Sequence, residues 1–98
     1  ALHHKGVYEP AIRFAQEGLR MAEDSGNPLA QSGALFVFVE VGYSNGLLNE
    51  SLAASERNVA LRRSLQHPDL SAALYQNGCV RYAAGDHDGA VTAWNEAI

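Results

Sequence analysis

The sequence predicts an all-α protein, an α-solenoid of antiparallel helix hairpins, and three observations carry that expectation. Glycines recur at Gly6, Gly46 and Gly85, 40 and 39 residues apart. An aliphatic residue stands six positions after each glycine (Ile12, Leu52, Val91) and another thirteen positions after it (Leu19, Val59, Ile98). A separation of seven returns a side chain to the same helical face. The stretches ahead of the second and third glycines also align, pairing Leu35 with Leu74 and Tyr43 with Tyr82 at a spacing of 39. Each period therefore holds two helices, one on either side of its glycine.

The elements follow in order. A partial helix is predicted over 1–5, broken at Gly6, then a second over 8–25 that ends at Ser25-Gly26. Asn27-Pro28 opens the next helix, 28–44, because asparagine caps exposed amides and proline fits the first turn, where no amide donor is needed. This helix contains "GALFVFVEVGYSNG", whose alternating valine and phenylalanine favour a strand. The repeat decides against the strand. Leu35, Phe38, Val39 and Gly42 form one helical stripe, Phe36, Glu40 and Tyr43 a second beside it, and the aligned copy is rich in helix-forming alanine at Ala72, Ala73, Ala83 and Ala84. A helix over 48–65 packs through Leu48, Leu52 and Val59, with Ser55 between them. His67-Pro68 opens a helix over 69–84 as Asn27-Pro28 opens its counterpart, and the last helix covers 87–98. In repeat terms the chain reads as one domain: a partial repeat over 1–26, a full one over 27–66 and one truncated at its C-terminal end over 67–98.

Composition narrows the function classes. With 47% hydrophobic and 18% charged residues, the chain suits a small globular domain. Its formal net charge of -4 disfavours nucleic acid, whose backbone recruits cationic surfaces. The longest apolar run, "ALFVFV", is far short of the ~20 residues of a membrane span, and with no charged-then-apolar pattern in the first residues a signal peptide is not expected. The single Cys79 precludes an internal disulfide and fits a reducing compartment, so a cytoplasmic protein is expected. Six arginines against one lysine, with abundant alanine, point to a GC-rich bacterial source.

The third copy, "SAALYQNGCVRYAAGDHDGAVTAWNEAI", resembles the tetratricopeptide repeat. The marks are Leu74, Gly78, the Gly85-Asp86 turn, Ala90, Trp94 and Ala97, small residues where two helices cross closely and large ones beside them. Gly6, Tyr8, Ala11 and Gly18 match in the first copy, with Ala15 at the usual aromatic position. The 39–40-residue period is similar to the long-period members in kinesin light chains and in bacterial regulators with MalT-like or cyclase-associated repeats. The second copy departs, with Ser51, Ser55 and Asn58 at the places of Ala90, Trp94 and Ala97, and Asn77 and Arg81 stand where the family carries apolar groups.

The resemblance implies a right-handed superhelical array, in which the first helix of each pair lines a concave groove. Carried over, the groove positions are Phe36, Val37, Glu40, Tyr43 and Ser44 in the second copy. In the third they are Tyr75, Gln76, Cys79, Tyr82 and Ala83, with His3 and His4 the remnant of the first. Phe36, Glu40, Tyr43, Tyr75, Cys79 and Tyr82 are the candidate partner-binding residues. Aromatics and one carboxylate do not clamp a peptide's terminal carboxylate; they suit an amphipathic or aromatic-rich protein segment with a cation near Glu40. The same rings also serve as filling between adjacent repeats, and both readings stand at this level. Both ends look cut inside a hairpin, so a second expectation is a homo-oligomer built through open ends. By the same resemblance the parent is a bacterial regulatory or signalling protein.

Catalytic and metal chemistry find little support. Asp86, His87 and Asp88 are contiguous at a helix start and fan outward; Asp86 reads as an N-cap and Asp88 as a carboxylate favoured by the helix dipole. No histidine or cysteine lies at ligand spacing to His3-His4, and Cys79 has no adjacent base. No nucleophile elbow, phosphate loop or dinucleotide fingerprint occurs, so neither an enzyme, a cofactor nor a metal is expected. Arg57, Arg62 and Arg63 offer a phosphate patch as the sharper reading and dipole-stabilising cations as the plainer one.

Overall fold

Gly26, Gly46 and Gly85 adopt φ of +70°, +82° and +93°, a region open to glycine because it has no Cβ, and each closes a helix. In the computed structural model, which describes residues 2–98 and their side chains from Pro10 onward, the helices are α1 (Leu2–Ser25), α2 (Pro28–Ser44), α3 (Leu48–Ser64), α4 (Leu70–Ala83) and α5 (His87–Ala97). No strand occurs among the described residues, and "LFVFVEV" lies inside α2. Asn27 Oδ1 accepts from the amides of Leu29 at 3.0 Å and Ala30 at 3.4 Å, with Pro28 at the first helical position.

Two expectations about boundaries are corrected. α1 runs unbroken through Gly6, where the repeat predicts a turn. A helix that continues through Gly6 satisfies the backbone hydrogen bonds of this stretch. Pro68 lies in a turn ahead of α4 rather than in its first turn. There Gln66 takes φ 50° and the His67 Nδ1 accepts from the Asp69 amide at 2.9 Å, a local arrangement that delays the helix to Leu70.

Each helix packs on its neighbours in the chain, and α2 additionally touches α4. The result is a slab of 39 × 34 × 15 Å in which α3 bridges α2 and α4. Leu35 and Val39 of α2, Ala54 of α3 and Val80 of α4 form the buried cluster, edged by Leu19, Phe38, Leu52 and Leu61.

The buried face of α3 differs from the predicted Leu48–Leu52–Val59 stripe, which is only half-buried. Ser55, expected between them, is buried, and Ser51, Ala54, Asn58 and Arg62 are buried with it. Small residues let α3 approach two helices at once, and the hydroxyls find partners: Ser51 Oγ donates to the Val39 carbonyl at 3.3 Å, and Asn77 Nδ2 donates to Ser55 Oγ at 3.0 Å. Arg81 Nε donates to Asn77 Oδ1 at 2.8 Å and its Nη1 to Asp86 at 2.7 Å, while Glu56 pairs with Nη2. This chain of bonds engages the polar groups of Asn77 and Arg81 where α3, α4 and the start of α5 meet. Among the buried side-chain amides described, only Asn58, 0% exposed, has neither amide atom bonded.

The α4–α5 crossing uses a different solution. Gly78 faces the Trp94 indole so closely that a Cβ there would overlap it, and Trp94 Nε1 donates to the Tyr75 carbonyl at 3.2 Å. The residues aligned with Gly78 and Trp94 in the preceding copy are Val39 and Ser55, so there the larger residue stands on the first helix and the smaller on the second.

Candidate functional site

α2 and α4 lie side by side, and the groove between them has a volume of about 330 Å³. Its walls are Phe36, Val39, Glu40 and Tyr43 from α2, and Ala72, Tyr75, Gln76, Cys79 and Val80 from α4. These positions recur at three- and four-residue steps on each helix, which is why they share a face. Tyr75 is 61% exposed at the rim, Tyr43 is exposed and Cys79 half-buried.

Five of the six candidate residues, Phe36, Glu40, Tyr43, Tyr75 and Cys79, therefore line one groove. Tyr82 does not. It stacks on His87 with ring centroids 4.4 Å apart and lies 5.9 Å from Trp94, on the α4–α5 side. Val37, Ser44 and Ala83 are exposed outside the groove, and the side chains of His3 and His4 lie outside the described ones. Ala72 is a wall that sequence reasoning did not name; its place one turn ahead of Tyr75 and Gln76 on the same face was the available signal.

Gln76 organises the groove floor. It is 5% exposed, and its Nε2 donates to the Phe36 carbonyl at 3.0 Å and to Glu40 Oε2 at 3.2 Å. Both partners are acceptors only, which fixes the amide orientation and leaves Oε1 buried without a donor. Glu40 is the one formally charged side chain of the lining, so the groove is apolar with a single negative end. Tyr75 continues the surface toward α5, its ring 6.4 Å from that of Trp94.

A second cleft, about 420 Å³, lies among α3, α4 and α5. Its charges are mutually engaged: Arg81 with Glu56, and Arg63 with Glu96 at 2.6 Å. The Arg63 hydrogen bond holds the Glu96 carboxyl below its ordinary value. A cleft whose charges are already paired offers little to an ionic ligand.

The phosphate patch at Arg57, Arg62 and Arg63 is not available as such. Arg57 pairs with Glu23 at 2.6 Å, and Arg63 is committed to Glu96. Arg62 is buried: Nε donates to Ser32 Oγ and Nη1 to the Asp69 carbonyl, both at 2.7 Å, and the guanidinium lies 5.2 Å from the Phe36 ring centre. Asp86 caps α5 by accepting from the Gly89 amide at 3.0 Å; that bond and Arg81 hold its carboxyl below the ordinary range. Among the described residues no three histidine, cysteine or acidic side chains gather as a metal site would require, and no helix is long and apolar enough to cross a membrane.

Compared with known proteins, no family model matches the chain, and neither a curated protein nor a solved structure matches it significantly.

Proposed function

We propose that this chain is part of a tetratricopeptide-like array that captures a protein or peptide segment, without chemistry, in the groove between α2 and α4. One observation carries the reading. Of the six candidate positions that the resemblance implies, Phe36, Glu40 and Tyr43 on one helix and Tyr75 and Cys79 on another line a single groove, and Tyr82 lies outside it. Its apolar walls and exposed rings suit an amphipathic or aromatic-rich helix or strand laid along the surface. Selection of displayed random peptides on the full chain, followed by amide chemical-shift mapping, tests it. Bound peptides are expected to perturb α2 and α4, and Tyr43→Ser to weaken them at least about tenfold with helicity kept. Tyr82→Ser, outside the groove, is the matched control. Equal binding by Tyr43→Ser, or shifts confined elsewhere, refutes capture there.

A second reading, self-association, is favoured by apolar side chains on the outer helices. Phe14 and Met21 on α1 and Val91 on α5 are all exposed. Light scattering over a range of concentrations tests it, and a monomer at the highest concentration removes it.

A further inference from the structure

We propose that the groove's anchor is a guanidinium: an arginine side chain of the bound segment, held by Glu40 and Gln76 against the rings of Phe36, Tyr43 and Tyr75. The inference rests on the capture reading and names the chemistry that the captured segment brings. Three observations converge on it. Glu40 is the only formal charge in the lining, so the groove complements a cation. Gln76 Oε1 is a buried acceptor without a donor, an arrangement costly until something donates to it. Its amide cannot turn to satisfy itself, because Nε2 is held by two acceptors, the Phe36 carbonyl and Glu40.

The occupant must therefore be positively charged, carry several donors and tolerate aromatic walls. Guanidinium meets all three requirements: it is flat, permanently charged, stacks on rings and spreads five donors in one plane. An ammonium is a point charge that keeps its water more tightly and is less suited to two acceptors beside flat walls. Arg62 does not fill this role from within. It touches Phe36 but does not line the groove, and it directs its donors to Ser32 and Asp69. The volume of about 330 Å³ is at the small end for binding sites, enough for one long side chain and its neighbours.

The test uses the full chain, isotope-labelled, and four short capped leucine–alanine amphipathic peptides that differ only at one central residue: arginine, citrulline, lysine or glutamate. Citrulline keeps the shape and removes the charge. The arginine peptide is expected to bind about tenfold tighter than the citrulline one, and to shift the Gln76 side-chain amide resonances. Glu40→Gln is expected to abolish that difference, the arginine peptide falling to the affinity of the citrulline one. The comparison of arginine with citrulline needs no variant, so it decides even if Glu40→Gln folds poorly. Equal groove binding by the arginine and citrulline peptides overturns the anchor and leaves capture standing. Lysine matching arginine overturns the guanidinium assignment. Binding by none of the four, with no shift in α2 or α4, overturns the anchor together with the groove reading beneath it.

Discussion

Replacing helical glycines by alanine should change stability in opposite directions according to what each new methyl meets. Alanine in a helix interior is favoured over glycine by about 0.5–1 kcal/mol, since less backbone freedom is lost on folding. Gly18 in α1 and Gly33 in α2 have nothing within 4 Å of the point an added methyl would occupy, so each substitution should realise that gain. At Gly78 the methyl would overlap the Trp94 indole at Nε1, Cδ1 and Cε2. The indole cannot slide freely, because Nε1 is bonded to the Tyr75 carbonyl at 3.2 Å. Overpacking of this kind costs about 1–3 kcal/mol, so Gly78→Ala should lose about 1–2 kcal/mol after the propensity gain is subtracted. For a chain of this size that is a fall in Tm of roughly 4–8 °C per kcal/mol. Urea unfolding followed by circular dichroism and by the fluorescence of Trp94, the single tryptophan, measures both. In a Trp94→Ala background the Gly78→Ala penalty should vanish, leaving a gain like that at Gly33. If Gly78→Ala is as stable as Gly33→Ala, the close α4–α5 approach does not exist and the account of that crossing is wrong.

Three further outcomes follow from the polar interior and the caps. Asn58→Ala should stabilise by about 1 kcal/mol, because it removes a 0% exposed amide with no partner and improves helix propensity; a loss in urea unfolding would mean that the amide is bonded after all. Arg62→Ala should cost about 2–3 kcal/mol by stranding the Ser32 hydroxyl and the Asp69 carbonyl, and Arg62→Lys should recover little, since one ammonium cannot serve both and lie over Phe36; full rescue by lysine would refute this. Asp86 is lowered first by the Gly89 amide and then by Arg81, and Glu96 by Arg63, so their contribution is complete above the unfolded carboxylate values and disappears as pH falls through the lowered folded ones. Unfolding midpoints should thus decline below about pH 4, and Asp86→Asn with Glu96→Gln should flatten that decline; an unchanged slope would exclude these two groups as its source.

Sequence periodicity made the helices of the second and third copies legible, including the one whose local residues favour a strand, because Leu35 and Val39 repeat on a helical face that Leu74 and Gly78 match. The same alignment failed at Gly6. A glycine permits a turn, but the turn forms only where apolar helices on both sides can pack, and that information is not in the glycine. The lining of the groove was readable for Phe36, Glu40, Tyr43, Tyr75 and Cys79 only through the resemblance, which says that the first helix of each pair lines a groove; the three- and four-residue steps then put each set on one face. Tyr82, at the same register as Tyr43, went elsewhere because α5 supplies His87 and Trp94 as closer partners. The burial of Arg62 was illegible for a related reason: its acceptors lie 30 residues before it, at Ser32, and in a turn carbonyl at Asp69 that no side-chain pattern announces.

Helices that follow one another along the chain form the principal interfaces, and that order bears on how the chain comes to be folded. Every substantial interface joins helices adjacent along the chain, so each hairpin can close while later residues are still being synthesised, and no distant segment must be awaited. The reverse holds for opening. α1 packs chiefly on α2 and α5 chiefly on α4, each joined to α3 by one exposed ion pair among the described residues, so the outer helices should detach first and amide protons exchange from the margins inward, with those of α3, clasped on two sides, the last to be lost.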